Sequence, residues 1–151
     1  MSSNNAIIIP AGEGPRHSLL SDTATIKISG HDTGGVFTQI ETICDPHSGP
    51  PPHIHHREDE TFFVIEGEFE FVCGGKRTIG GPGTIAHLPR GVAHCFRNVG
   101  DTRGRVLVTI TPAGFENFFI EASALTPEEQ HNPSRLSAIA AKHGIEFVAN
   151  A

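Results

Sequence analysis

The sequence predicts an all-β protein, a closed barrel or jelly roll with short helices packed at its end. Seventeen Gly and eleven Pro punctuate the chain, and turn-formers at that density between short apolar runs mark strands joined by tight turns. Within the runs, apolar and polar residues alternate with a period of two, as half-buried strands do. The runs recur roughly every eight to twelve residues, the rhythm of a barrel or sandwich.

Taken in order, Ala24, Ile26 and Ile28 alternate with Thr25, Lys27 and Ser29, a first strand ended by Gly30. Gly34-Gly35 opens a second, Val36 to Ile43. Pro46 through Pro52 is too proline-rich to pair and forms a stiff loop. Thr61 to Ile65 and Glu68 to Cys73 are strands about Gly67, and Gly74-Gly75 turns into Lys76 to Ile79. Gly80 to Gly83 turns again before Thr84 to Leu88, and Pro89-Arg90-Gly91 leads into Ala93 to Val99. Val106, Val108 and Ile110 mark the last clear strand.

Past Pro112 the period changes. Phe115, Phe118, Phe119 and Ala122 sit at i, i+3, i+4 and i+7, the pattern of a short amphipathic helix. Thr126-Pro127-Glu128-Glu129 has capping-box spacing with Pro at the first helical position. Asn132-Pro133 starts a final helix carrying Leu136, Ile139 and Ala140, which Gly144 ends. One domain over 1–151 is expected, with a barrel core at about 22–112 and a helical segment at about 113–146.

Composition narrows the function classes. Eleven basic against seventeen acidic residues give a formal charge of -6. There is no Lys/Arg cluster, which argues against nucleic acid and anionic membranes as partners. No stretch approaches a membrane span. Met1 to Pro10 lacks the basic region and the apolar length of a secretory signal. Cys44, Cys73 and Cys95 are odd in number and form no CxxC pair, which fits a reducing cytoplasm. Cys95 follows His94 on a strand, so it is read as a buried thiol facing away from that imidazole rather than as a nucleophile.

The chemistry concentrates in Pro52-His53-Ile54-His55-His56-Arg57-Glu58-Asp59-Glu60. In an extended chain His53 and His55 share a face, so two imidazoles can share one ion. Glu60 comes five residues after His55, the wrong parity for that face. It joins them only if His56 to Asp59 bend or bulge the chain. Glu60, Phe62 and Val64 then share one side of the next strand. A third imidazole comes from Gly83-Thr-Ile-Ala-His-Leu-Pro89-Arg-Gly91-Val-Ala-His94-Cys-Phe-Arg-Asn98, where His94, Phe96 and Asn98 alternate onto one face.

These two segments resemble the paired motifs of the cupin superfamily. The second matches throughout, from Gly83 through Pro89, Gly91 and His94 to Asn98. The first matches from His53 through His55 and Glu60 to Gly67, but Gly49 lies only three residues before His53, where the family usually has five. The resemblance implies a double-stranded β-helix, the jelly-roll cupin barrel. It also implies a three-His, one-Glu ligand set of His53, His55, Glu60 and His94 around one divalent transition metal ion. Such a set suits Fe, Mn, Ni, Co, Cu or Zn and leaves one or two positions open.

Among small cupins the chain is similar to the quercetinase-like dioxygenases. This implies an O₂-using oxidoreductase acting on a small chelating, partly aromatic or enolic substrate, with Glu60 taking the substrate proton. Phe62, Val64 and Phe96 would wall the pocket, and Phe118 and Phe119 would close its mouth. The alternative is a non-redox isomerase, lyase or ligand-binding cupin, since the fold hosts many chemistries. A homodimer is expected from the family habit. A DNA regulator is disfavoured by the acidic balance and the lack of a helix-turn-helix segment.

The remaining polar residues carry plainer expectations. His56 turns outward by parity with His55, and His87 is read as a core or interface histidine. His17, His31, His47, His131 and His143 are expected to be solvated, Arg57-Glu58-Asp59 to be a solvated turn, and Asn98 to be structural.

Overall fold

Two antiparallel sheets face each other across an apolar core in the computed structural model, which describes residues 5–151. Met1 to Asn4, part of the stretch read above for a signal, lie outside the described residues. The first elements are β1 (Arg16–Leu19), β2 (Asp22–Ile28), β3 (Thr38–Cys44), β4 (His53–His55) and β5 (Asp59–Glu66). Then come β6 (Phe69–Cys73), β7 (Lys76–Gly80), β8 (Ile85–Leu88), β9 (His94–Asn98) and β10 (Gly104–Thr111). The chain ends with α1 (Glu116–Ser123), α2 (Pro127–Gln130), α3 (Pro133–Lys142) and β11 (Ile145–Phe147).

One sheet runs β1-β2-β3-β10-β5-β8 and the other β11-β4-β9-β6-β7. The predicted alternation decides which residues enter the core. Along β5, Glu60, Phe62 and Val64 are buried and pair with Ile110, Val108 and Val106 of β10. From the opposite sheet Phe71 and Phe96 meet Phe62 at ring-centroid distances of 5.5 and 4.8 Å. Each such buried side chain contributes about 1.5–3 kcal/mol. A one-residue slip of β5 would expose this whole row, Glu60 included, so burial of the row specifies its register.

Asn98 ends β9 and is fully buried. Its Nδ2 donates to the carbonyls of Cys44, Asp45 and Thr102, while Oδ1 accepts from the Gly100 N–H. It ties the loops at that end together and has no group left over for chemistry. Gly49 needs to be glycine for contact rather than conformation: a Cβ there would collide with the Phe96 carbonyl and stand 2.9 Å from Arg97 Cα.

The C-terminal helices form where capping predicts. Thr126 and Glu129 make the reciprocal capping box of α2, and the Asn132 side chain accepts from Ser134 and Arg135 N–H to start α3. Three short strands carried no periodic signal. β1 is four residues with one apolar side chain, and β4 and β11 are three residues each. β11 brings the chain back to the barrel, pairing Ile145 with His55 and Phe147 with His53.

Other expectations need correction. The strand after Gly34-Gly35 starts at Thr38, because Thr33 Oγ1 donates to the Phe37 carbonyl and accepts from the Phe37 N–H, holding Val36 in an exposed turn. His17 and His143 are half-buried rather than solvated. His17 Nδ1 faces Ser123 Oγ at 3.1 Å, and His143 Nε2 faces Glu121 Oε2 at 2.8 Å. His87 is exposed on β8 rather than in the core, its Nδ1 facing Thr61 Oγ1 at 3.0 Å. Cys95 is only half-buried, since its outward face is that of a sheet without a full covering layer. Among the described residues no helix is long and apolar enough to cross a membrane.

Glu116 clasps the helical segment to the barrel. Its Oε1 accepts from the Gly30 N–H at 2.8 Å, and its Oε2 accepts from Thr38 Oγ1 at 2.7 Å and the Gly114 N–H at 2.8 Å. Burial would raise its pKa, but these donors outweigh burial and hold it below the ordinary value. A depressed folded-state pKa contributes stability above the unfolded value, and that contribution is lost as pH falls through the folded value. Glu116→Ala is therefore expected to cost about 2–4 kcal/mol at neutral pH. In denaturant titrations the gap from wild type narrows as the pH is lowered through the carboxylate range.

Candidate metal centre

The two sheets contribute unequally to a buried polar cluster. His53 and His55 come from β4 and His94 from β9, all in one sheet, and His53 lies directly opposite His94 in the register. Glu60 comes from β5 in the other sheet. The parity problem between His55 and Glu60 is solved by a change of sheet: β4 ends at His55, His56 and Arg57 bend, and β5 begins at Asp59 on the opposite wall. Both His55 and Glu60 then face inward.

His55 and His94 are fully buried, and His53 and Glu60 are 6% and 4% exposed. One ligand atom from each of the four lies within 4.8 Å of the others. The ring centroids of His53 stand 5.1 Å from His55 and 4.6 Å from His94, and those of His55 and His94 are 5.5 Å apart and nearly parallel. The edge of Phe115 packs on His55 at 4.6 Å.

The orientation of each imidazole follows from its outer nitrogen. His53 Nδ1 is 2.8 Å from the Pro51 carbonyl, and His94 Nδ1 is 3.0 Å from the Val92 carbonyl. His55 Nδ1 is 3.4 Å from Glu58 Oε2. Carbonyls and carboxylates can only accept here, so each Nδ1 carries a proton and each Nε2 presents its lone pair to the cluster. Glu60 Oε2 stands 2.8 Å from His94 Nε2 and 3.3 Å from His55 Nε2. His55 Nε2 is buried with no hydrogen bond. Lone pairs and a carboxylate converging in a dry interior need a positive charge among them. A divalent cation supplies it, and these four residues could hold one.

The electrostatics agree. Burial pushes the His53 imidazole down to about 4, against the opposing pull of Glu60. Burial also lowers His55, but Glu60 and Glu58 outweigh it and raise its pKa. Burial would raise Glu60, yet the facing imidazoles hold its carboxyl at about 2.

A cavity of about 560 Å³ reaches the cluster at His53 and Glu60. Phe62, Phe96, Phe118 and Phe119 line it together with Phe115, Phe147, Ile40, Val108 and Ile110. Val64 does not. It is fully buried two residues farther along β5 than Phe62, opposite Val106, and belongs to the core rather than the wall. The cavity also receives β1, α2, α3 and β11 residues that were not expected to line it, among them Leu19, Gln130, Leu136 and Ile145. Glu58 was also missed. Arg57-Glu58-Asp59 is no solvated turn, since Glu58 is 4% exposed and points at His55. Asp59 pairs with Arg90, whose hydrogen bonds hold its carboxyl at about 2. His56 faces outward to Glu146 at 2.8 Å.

Known proteins resemble the chain to differing extents. The family described as Cupin domain matches residues 41–110. Quercetin 2,3-dioxygenase of Bacillus subtilis (strain 168) is 28% identical over 90 residues, 60% of this chain and 27% of that protein. An uncharacterised protein of Streptomyces coelicolor is 35% identical over 57 residues, 38% of this chain and 53% of that protein. The chain thus spans little more than a quarter of the first relative and about half of the second. Among solved structures, KdgF from Halomonas sp. superposes with a TM-score of 0.67 at 17% identity, covering 75% of this chain and 99% of that one. A predicted oxalate decarboxylase from Thermotoga maritima gives 0.65 at 19% identity, covering 70% and 99%. The polyketide cyclase RemF from Streptomyces resistomycificus gives 0.62 at 23% identity, covering 71% and 80%. At these identities the structural likeness is one of fold. Residues 41–110, which hold both motifs, match the cupin-domain family, and the jelly-roll barrel around them has the fold of the solved cupin structures.

Proposed function

We propose that the protein is a metal-dependent oxygenase for a small, flat, largely apolar substrate that chelates through neighbouring oxygens. One observation carries the reading. Of the four clustered residues, His53 and Glu60 border the apolar cavity, whereas His55 and His94 are closed off behind them. An ion held there would have its free side toward an aromatic-walled space. The stretch shared with quercetin 2,3-dioxygenase of Bacillus subtilis supports the oxygenase class over the other chemistries of the fold.

A bound transition metal would supply Lewis acidity toward a chelating oxygen and a route for electrons to O₂. The chain's own residues do the rest. Glu60, whose carboxylate borders the cavity, stands where it can accept the proton of an enol or phenol as the substrate enters. Phe62, Phe96 and Phe115 present ring surface and exclude water, so the substrate's plane is oriented by packing rather than by hydrogen bonds. His131 and Ser137 are exposed lining residues that give the cavity a polar rim.

A non-redox isomerase or lyase is the second reading, favoured by the same Glu60, which can move a proton without oxygen. A cytoplasmic homodimer is part of the proposal too. β8 is an edge strand whose Ile85 is 68% exposed beside Phe63, a surface that a second copy would cover. All three cysteines are free, which suits a reducing compartment.

Protein expressed in metal-supplemented medium is expected to carry about one Fe, Mn, Ni, Co or Cu per chain, lost in His94→Ala. With that protein in an oxygen electrode, flavonols or β-diketones should drive uptake of about one O₂ per substrate consumed, and Glu60→Gln should abolish it. Stoichiometric zinc without O₂ uptake would replace the oxygenase reading with the non-redox one.

A further inference from the structure

The segment that carries the chain from one sheet to the other holds a buried acid that the cluster itself does not use. His56 and Arg57 point outward and are tied to the C-terminal segment. His56 Nε2 lies 2.8 Å from Glu146 Oε2, and Arg57 Nη1 donates to the Lys142 carbonyl at 3.2 Å. Glu58 turns the other way, into the interior, and is 4% exposed. Its one side-chain partner among the described residues is the His55 ring, through Nδ1 at 3.4 Å. Burying a carboxylate is costly unless a partner compensates it. Its placement against one nitrogen of one candidate ligand therefore calls for a role.

The three imidazoles are not held alike. His53 and His94 give their Nδ1 protons to backbone carbonyls, which no side-chain substitution removes. His55 gives its proton to a charged side chain. Phe115 already packs against the His55 ring edge to face, with centroids 4.6 Å apart. Packing of that kind does not choose which nitrogen is protonated. A carboxylate does, because it can only accept, and its charge also makes the far nitrogen more basic. The charges would balance as well: a dication among neutral imidazoles would be neutralised by Glu60 and Glu58 together, since among the described residues no other buried acid lies at the cluster.

We infer that Glu58 is a positioning residue for the candidate metal centre, holding His55 with Nδ1 protonated and Nε2 free to bind the ion. This rests on the metal-binding reading above. Without Glu58 the ring stays in place between Phe115 and its strand, but its proton is free to sit on Nε2, where it blocks ligation. The loss should fall on metal affinity and on His55 alone, with the fold retained.

The test titrates metal-free wild type, Glu58→Ala and Glu58→Gln with Zn²⁺ against a chromophoric chelator. Long-range proton–nitrogen NMR then reads the tautomer of each imidazole in the loaded proteins. Wild type should bind about one Zn²⁺ with all three rings protonated at Nδ1. Glu58→Ala should bind about 10–100-fold more weakly and shift the His55 signals while leaving those of His53 and His94. Glu58→Gln keeps an oxygen acceptor for Nδ1–H, so it should recover part of the affinity and the tautomer. If Glu58→Ala does not fold, Glu58→Gln decides through a measurable loss of affinity and a moved His55 signal. Wild-type binding with both variants within about twofold of it, and His55 unmoved, would overturn the inference while leaving the metal reading intact. A wild type that takes up no Zn²⁺ would overturn both.

Discussion

The fold is organised around one electrostatic demand: three imidazole lone pairs and a carboxylate share the interior of an otherwise apolar barrel. His55 and His94 have no exposed surface, and Glu60 has almost none. Left to themselves these groups destabilise the barrel. The orphaned His55 Nε2 alone costs about 1–3 kcal/mol in lost hydration. Volume-matched apolar residues would pack there at lower cost, so a polar cluster in this place calls for a partner that compensates it. A cation held where the four converge would turn that liability into a stabilising contact.

Much of the surrounding architecture can be traced to that demand. The imidazoles come from β4 and β9 and the carboxylate from β5, so an ion held by all four would pin the two sheets together from inside. β4 is only three residues long and would be a poor strand alone. It is braced on one side by β9 and on the other by β11, whose Ile145 and Phe147 pair with His55 and His53. The C-terminal segment is thereby part of the site. It supplies the strand that supports two candidate ligands, the Phe115 edge against His55, and a large share of the cavity wall.

The legible parts of the site were those where residue type, spacing and parity point the same way. His53 and His55 share a face because a strand alternates, and His94 follows a Pro-Gly turn that leaves few alternatives. Glu60 was legible only with the motif as a guide, since its parity is wrong for a single strand and right only after the chain changes sheets. Glu58 was misread for the same reason. In a run of four polar residues nothing local says which one turns inward, and the choice is made by contacts with Glu146 and Lys142 far along the chain. Val64 was misplaced because alternation specifies the face but not the depth along it. β1, β4 and β11 are too short or too polar to show a period, and β4 and β11 pair with each other across 90 to 94 residues of chain, while β1 pairs with β2 only 3 to 9 residues on. The helices, by contrast, are announced by local capping residues at Thr126, Glu129 and Asn132.

The central claim is that His53, His55, Glu60 and His94 together hold one metal ion. Its most direct test is anomalous diffraction from crystals of protein loaded with a single transition metal, recorded on both sides of that metal's absorption edge. The account predicts one strong peak inside the barrel, with Nε2 of the three histidines and an oxygen of Glu60 at about 2.0–2.2 Å from it. No interior peak, or a peak only at exposed groups such as His56 and Glu146, would contradict it and leave a barrel whose polar core needs another explanation.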